Sequence, residues 1–188
     1  MTTDHMHELS SIERRAARVK LLLMDCDGVL TDGRLWLLGD GDEQKSFNVR
    51  DGLGLALWHR AGLKSGIISG RNSKALEQRA RGLGIEYVRQ GSNNKTKDFE
   101  ELLRLAKVDE NEVAFVGDDL NDIPLMLRSE FAVAVSDAAE ETLAVSHLVT
   151  QAAGGSGAIR EAVEFILKAQ GRWAEVTAEY LKPVGSGE

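Results

Sequence analysis

The apolar run from Val19 to Met24 stops abruptly at Asp25-Cys26-Asp27-Gly28. A segment this short and this apolar, bounded by turn residues, reads as a strand buried on both faces, as in a parallel sheet. In such sheets ligands sit just beyond the carboxyl ends of the strands, which is where Asp25 and Asp27 fall. Side chains alternate along extended backbone, so the two acids can share one side while Cys26 faces the other. Two carboxylates this close repel unless a cation or a shared proton relieves them. Read alone, the pair is equally a polar loop that carries two aspartates.

The rest of the chain repeats the strand-and-helix pattern. Segments 64–68, 85–88, 112–116, 131–135 and 147–149 read as strands. Segments 53–61, 74–83, 96–106, 138–145 and the stretch from Gly154 to Leu167 read as helices, Gly84 supplying a C-terminal stop. Pro124 is tolerable only in the first turn of a short helix after Asp122. This alternation predicts an α/β fold, a doubly wound parallel sheet with helices on both faces. The exception is 33–49, where two extended runs flank a Gly/Asp turn at 39–42 and predict an inserted β-hairpin. Residues 1–18 form a polar extension with a short helix from Ser10 or Ser11 to Arg18. Residues 171–188 form a tail holding Trp173, Val176, Tyr180 and Leu181. No repeat or linker divides the chain, and 188 residues suit one domain.

Bulk composition narrows the partners. Apolar residues at 43% and charged residues at 28% are those of an ordinary globular protein. A net charge of −7 argues against nucleic acid or an anionic membrane surface as partner. No stretch reaches the ~18 apolar residues of a membrane-spanning helix. The first twenty residues hold no apolar core ahead of a cleavage site, so no secretory signal is expected. A single cysteine, Cys26, cannot make an internal disulfide, which suggests a reducing, cytoplasmic setting. Its acidic neighbours would raise its thiol pKa, so it reads as packing and not as a nucleophile.

Three further strand ends carry polar groups suited to phosphoryl chemistry. Ser69, followed by Gly70 and Arg71, stands at a strand-to-helix junction where hydroxyl and backbone N–H groups can hold a phosphate. Lys95 precedes a helix, and an ammonium there would neutralise a nucleophile or a phosphate oxygen. Asp118 and Asp119 end another strand, with Asp122 one turn later. Carboxylates gathered from different strands make a hard-oxygen site suited to Mg²⁺. Each also has an ordinary reading: Ser69 as a helix cap, Lys95 as a solvated lysine, Asp122 as a first-turn helix acid.

The ordered set Asp25-x-Asp27, Ser69, Lys95 and Gly117-Asp118-Asp119-Leu120-Asn121-Asp122 resembles the haloacid dehalogenase superfamily from residue 19 to about 150. The resemblance implies a Rossmann-like core and an Mg²⁺-dependent phosphatase. Asp25 would be the nucleophile that forms an aspartyl-phosphate, and Asp27 the acid that protonates the leaving alkoxide and then activates water. Mg²⁺ would be held by Asp25, the backbone carbonyl of Asp27, and Asp118. Ser69, Gly70 and Lys95 would bind the phosphoryl oxygens.

The stretches between Asp27, Ser69 and Lys95 have no room for a separate cap domain. Together with Phe47-Asn48-Val49-Arg50-Asp51-Gly52 and Gly154-Gly155-Ser156-Gly157, this is similar to one lidless branch. Its phosphatases act on 3-deoxy-D-manno-octulosonate 8-phosphate, a precursor of lipopolysaccharide sugar, and form homotetramers through the hairpin. Arg50, Arg71 and Arg160 are then candidate partners for a sugar-acid carboxylate, or ordinary surface arginines. Related substrates, a nine-carbon sugar-acid phosphate or a macromolecular phosphoester, stay open. A phospho-receiver domain is disfavoured because 87–91 lacks the acceptor aspartate at its strand end, and no phosphate-binding G-x-x-x-x-G-K-[ST] loop exists.

Overall fold

The structure, a computed structural model, describes residues 10–39 and 43–182. The outer parts of the expected N-terminal extension and tail, and the tip of the hairpin, lie outside the described residues. Strand β1 (Leu21–Met24) is buried at all four positions. After it come two short antiparallel strands, β2 (Trp36–Leu37) and β3 (Glu43–Gln44). Then follow β4 (Lys64–Ile68), β5 (Tyr87–Arg89), β6 (Val113–Gly117), β7 (Phe131–Ala134) and β8 (Leu148–Val149). Apart from the β2–β3 ribbon, the strands form one parallel sheet in the order β5-β4-β1-β6-β7-β8. The chain starts centrally, winds outward to β5, then crosses to β6 and winds out the other way. That reversal leaves the crevice of the sheet beside the carboxyl end of β1.

Pleating splits β1 between two cores. Leu22 and Met24 face the layer made by α1 (Ser11–Ala17), α2 (Val49–Arg60), α3 (Lys74–Leu83) and two helices introduced below, through Trp58 and Leu76 among others. Leu21 and Leu23 face α4 (Lys95–Ala106), α5 (Ile123–Arg128) and α6 (Glu140–Val145), through Phe99, Leu102 and Leu125. Helices α7 (Ala158–Ala169) and α8 (Trp173–Thr177) complete the first layer with Ile159, Val163, Ile166 and Val176. Among the described residues no helix is long and apolar enough to cross a membrane.

Local signals set most boundaries. Ser10 and Glu13 form a capping box at α1, and α3 runs from its Ser73 cap to Gly84 in the left-handed region at φ 70°. Helix α2 begins four residues before the position that apolar spacing predicts. Asn48 caps it by accepting the Arg50 N–H at 2.8 Å, and its first turn, Val49-Arg50-Asp51-Gly52, holds a single, exposed apolar residue and so gives periodicity nothing to mark. The hairpin strands are shorter than 33–38 and 43–49, two residues each among the described positions.

Candidate active site

Asp25 continues β1 by donating its N–H to the Val116 carbonyl at 3.0 Å, which carries its side chain to the mouth of the crevice. Its Oδ1 accepts the Cys26 N–H at 2.7 Å, and its Oδ2 lies 2.9 Å from Lys95 Nζ. Lys95 is the first residue of α4, and the same ammonium donates to Asp122 Oδ1 at 2.7 Å. Asp122 Oδ2 in turn accepts the Asp118 N–H at 3.1 Å. One carboxylate oxygen from each of Asp25, Asp118 and Asp122 lies within 4.8 Å of the others. Four strand-end or helix-start residues thus meet at the carboxyl ends of β1 and β6.

The charge balance of this cluster is uneven. Burial, and next the charge on Asp122, push Asp25 up to about 6, against the pull of Lys95. Burial, then Asp122 and Asp25, push Asp118 up to about 8. Burial works to lower the pKa of Lys95, but Asp122 and Asp25 outweigh it and raise the group. Three carboxylates against one ammonium leave an excess of two negative charges, and Asp118 Oδ1 is buried without a hydrogen-bond partner. An excess of that size, on hard oxygen donors, fits a divalent cation.

Glycine makes this closeness possible. Gly28 sits at φ 89°, and a Cβ there would overlap the Asp118 carboxylate. Gly154 packs against the Gly28 carbonyl so tightly that it too has no room for a Cβ. The Gly154-Gly155 turn therefore backs the loop after β1 from the far end of the chain.

Asp27 faces a different set of groups. Its carboxylate pairs with Lys45, which follows β3, and Lys45 also lies 2.9 Å from Glu43 Oε1. Arg71 donates to Glu43 Oε2 through Nε at 3.2 Å and Nη2 at 2.9 Å, and its Nε stands 4.0 Å from Asp27 Oδ2. Burial works to lower Lys45, yet its bonds to Asp27 and Glu43 raise it. Cys26 is fully buried, and burial followed by the charge of Asp27 pushes its thiol well up, as expected for a packing residue.

Of the remaining expected residues, Ser69 is buried at the end of β4, and its Oγ accepts the Arg71 N–H at 3.3 Å across Gly70. It does not cap α3; Ser73 does, accepting the Leu76 N–H. Lys95 is no solvated lysine, its side chain being 8% exposed, and Asp122 is fully buried. Arg71 reaches the Asp27 group. Arg50 is exposed on the first turn of α2, and the Arg160 guanidinium lies 5.1 Å over the Trp173 ring, with Nε 3.6 Å from Glu164. Lys45 and Glu43 were missing from the sequence reading. The available signal was the alternation Glu43-Gln44-Lys45, which puts opposite charges on one face of the ribbon.

The profile of the haloacid dehalogenase-like hydrolases matches residues 85–161. The 3-deoxy-D-manno-octulosonate 8-phosphate phosphatase KdsC of Yersinia pestis is 43% identical over 157 residues, covering 84% of each chain. The crystal structure of the phosphatase of that name from Moraxella catarrhalis, in complex with magnesium, phosphate and KDO, superposes with a TM-score of 0.88 at 36% identity. It covers 92% of this chain and 99% of that one. The cobalt-bound deoxy-D-mannose-octulosonate 8-phosphate phosphatase of Haemophilus influenzae gives a TM-score of 0.85 at 36% identity, over 89% and 99% of the two chains. Identity at this level over nearly the full length, on the same sheet, makes the chain a member of the haloacid dehalogenase-like hydrolases, in the branch of the 3-deoxy-D-manno-octulosonate 8-phosphate phosphatases.

Proposed function

We propose that the protein is a phosphomonoesterase that hydrolyses 3-deoxy-D-manno-octulosonate 8-phosphate through an aspartyl-phosphate. The observation that carries the reading is the Asp25–Lys95–Asp122–Asp118 cluster, in a chain whose relatives of that name are about 40% identical. An Asp25 oxygen attacks phosphorus while the bond from phosphorus to the sugar oxygen breaks. Asp27 gives its proton to the departing alkoxide. It then takes a proton from water, whose oxygen attacks phosphorus, freeing inorganic phosphate and restoring the Asp25 carboxylate. The Ser69 hydroxyl, the Gly70 N–H and the Lys95 ammonium hold the phosphoryl oxygens. Asp25, Asp118 and the Asp27 carbonyl would hold Mg²⁺, which when bound spreads the charge that develops on the transferred group. Asp122 keeps Lys95 in place. Arg71 binds the sugar-acid carboxylate, and Arg50 and Arg160 are weaker candidates for that contact because neither guanidinium is paired with the Asp27 group.

The reading extends to a homotetramer assembled through the hairpin, in the cytoplasm. Leu35, Trp36, Leu37 and Leu38 are all exposed, more apolar surface than an isolated ribbon leaves to water. The buried, unpaired Cys26 fits a reducing compartment. Assaying eight- and nine-carbon sugar-acid phosphates with Mg²⁺ tests the substrate. The eight-carbon ester should give the highest kcat/KM, and preference for the nine-carbon ester or for a phosphoprotein would overturn that assignment.

A further inference from the structure

Lys45 is anomalous for its surroundings. The β2–β3 ribbon presents Trp36, Leu37 and Gln44 outward, yet the Lys45 side chain is only 1% exposed. Burying an ammonium is costly unless its partners are well placed. Here the partners are Asp27 Oδ1 and Glu43 Oε1, and Glu43 is itself 6% exposed and clamped from its other oxygen by Arg71. An apolar residue would anchor the ribbon at least as well, so anchoring alone does not account for a charge at this position. What a lysine adds is a fixed donor on one oxygen of Asp27. A carboxyl group on a short side chain turns freely about its last bond, whereas one pinned at Oδ1 has a set orientation. We propose that Lys45, held by Glu43 and Arg71, is a positioning residue that sets the rotation of the Asp27 carboxyl for proton transfer to the leaving oxygen. This rests on the reading of Asp27 as the acid, and it gives the hairpin a part in the chemistry distinct from any part in assembly.

Hydrolysis of the aspartyl-phosphate, in which Asp27 takes a proton from water, is common to all substrates. In its formation, orientation matters only when a proton must reach the leaving group, so kcat/KM, which reports formation alone, carries the substrate dependence. A sugar alkoxide leaves poorly without protonation, while 4-nitrophenolate leaves without help. The experiment compares wild type, Lys45→Met, Lys45→Arg, Glu43→Gln and Asp27→Asn on 3-deoxy-D-manno-octulosonate 8-phosphate and on 4-nitrophenyl phosphate, with Mg²⁺. Lys45→Met should lower kcat/KM on the sugar phosphate roughly tenfold to a hundredfold, as misplacement of a reacting group does. On the aryl phosphate the loss in kcat/KM should stay below about threefold, because forming the aspartyl-phosphate from it needs no proton. Lys45→Arg should restore most of the difference. Equal losses of kcat/KM on both substrates, or an unchanged kcat/KM on the sugar phosphate, would overturn the proposal. Thermal unfolding checks the fold, and if Lys45→Met does not fold, the same ratio measured in Glu43→Gln decides. A split in Asp27→Asn without one in Lys45→Met rejects the role of Lys45 and leaves Asp27 as the acid. No split in Asp27→Asn rejects both.

Discussion

Lys95 is the counter-charge on which the site depends, because Asp25 and Asp122 each bring a buried carboxylate to its ammonium. Lys95→Met would leave both without that partner. Removing one member of a buried ionic group costs about 3–5 kcal/mol, and a urea titration of the variant at neutral pH should show a loss of that order. Titration of His59 and His147 sets a second expectation. Burial, the largest cause in both, holds each imidazole below the ordinary 6.5. Between the native and unfolded values the unfolded chain therefore binds more protons. The histidines' contribution to stability should be full above about pH 6.5 and fall as the pH drops through the depressed native values. It is opposite in sign to that of Asp25 and Asp118, whose raised values make their contribution fall as the pH rises. Urea midpoints at pH 5 and pH 7 in wild type and His59→Asn check the sign, the variant being more stable relative to wild type at pH 5 than at pH 7. Asp25, Lys95 and Asp118 were legible in the sequence because phosphoryl chemistry demands those residue types at strand ends. Lys45 was not, since a lysine after a short strand looks the same whether it is solvated or buried. Ser69 carried a helix-cap reading for a related reason: a serine ahead of a helix suits that role, and only the backbone shows that Ser73 fills it.

The helices show how far a local pattern reaches. The bounds of helix α3 were legible, because its spacing and its Gly84 stop are local. Helix α7 is different. Its N-cap is Gly157, which has no side chain to offer, and the exposed amides are met instead by Asp51 from α2. Asp51 Oδ1 accepts the Arg160 N–H at 2.8 Å. Burial raises the pKa of Asp51, and this backbone bond opposes the rise. A cap supplied from another helix leaves no sequence signature, which is why Asp51 was unremarked. Asp51→Ala should cost about 1–3 kcal/mol, the penalty for leaving buried donors unmet, and Asp51→Asn less, because the amide keeps an acceptor oxygen. Urea denaturation of both variants checks this, and equal losses would mean that the charge matters more than the cap.

The sheet order puts β1 at the centre and makes the contacts of the candidate site meetings of distant segments: Asp25 with Lys95, Gly28 with Gly154, Asp27 with Lys45. The order was legible as a class, from the alternation of strands and helices, although no sequence rule states which strands are neighbours. The hairpin has two faces, with Lys45 and Glu43 turned to Asp27 and Trp36 and Leu37 turned outward. If the outer face is the assembly surface, changing Trp36 and Leu38 to serine should give smaller particles by light scattering at assay concentration. Loss of sugar-phosphate turnover should accompany it, and a wild-type monomer with full activity would contradict the tetramer. The central claim is that Asp25 attacks phosphorus in a cation-dependent site. The most direct test is inorganic phosphate release from 3-deoxy-D-manno-octulosonate 8-phosphate by wild type and Asp25→Asn, each with Mg²⁺ and with excess chelator. Release should occur only in wild type with Mg²⁺; turnover by folded Asp25→Asn, or undiminished wild-type turnover in chelator, would contradict the account.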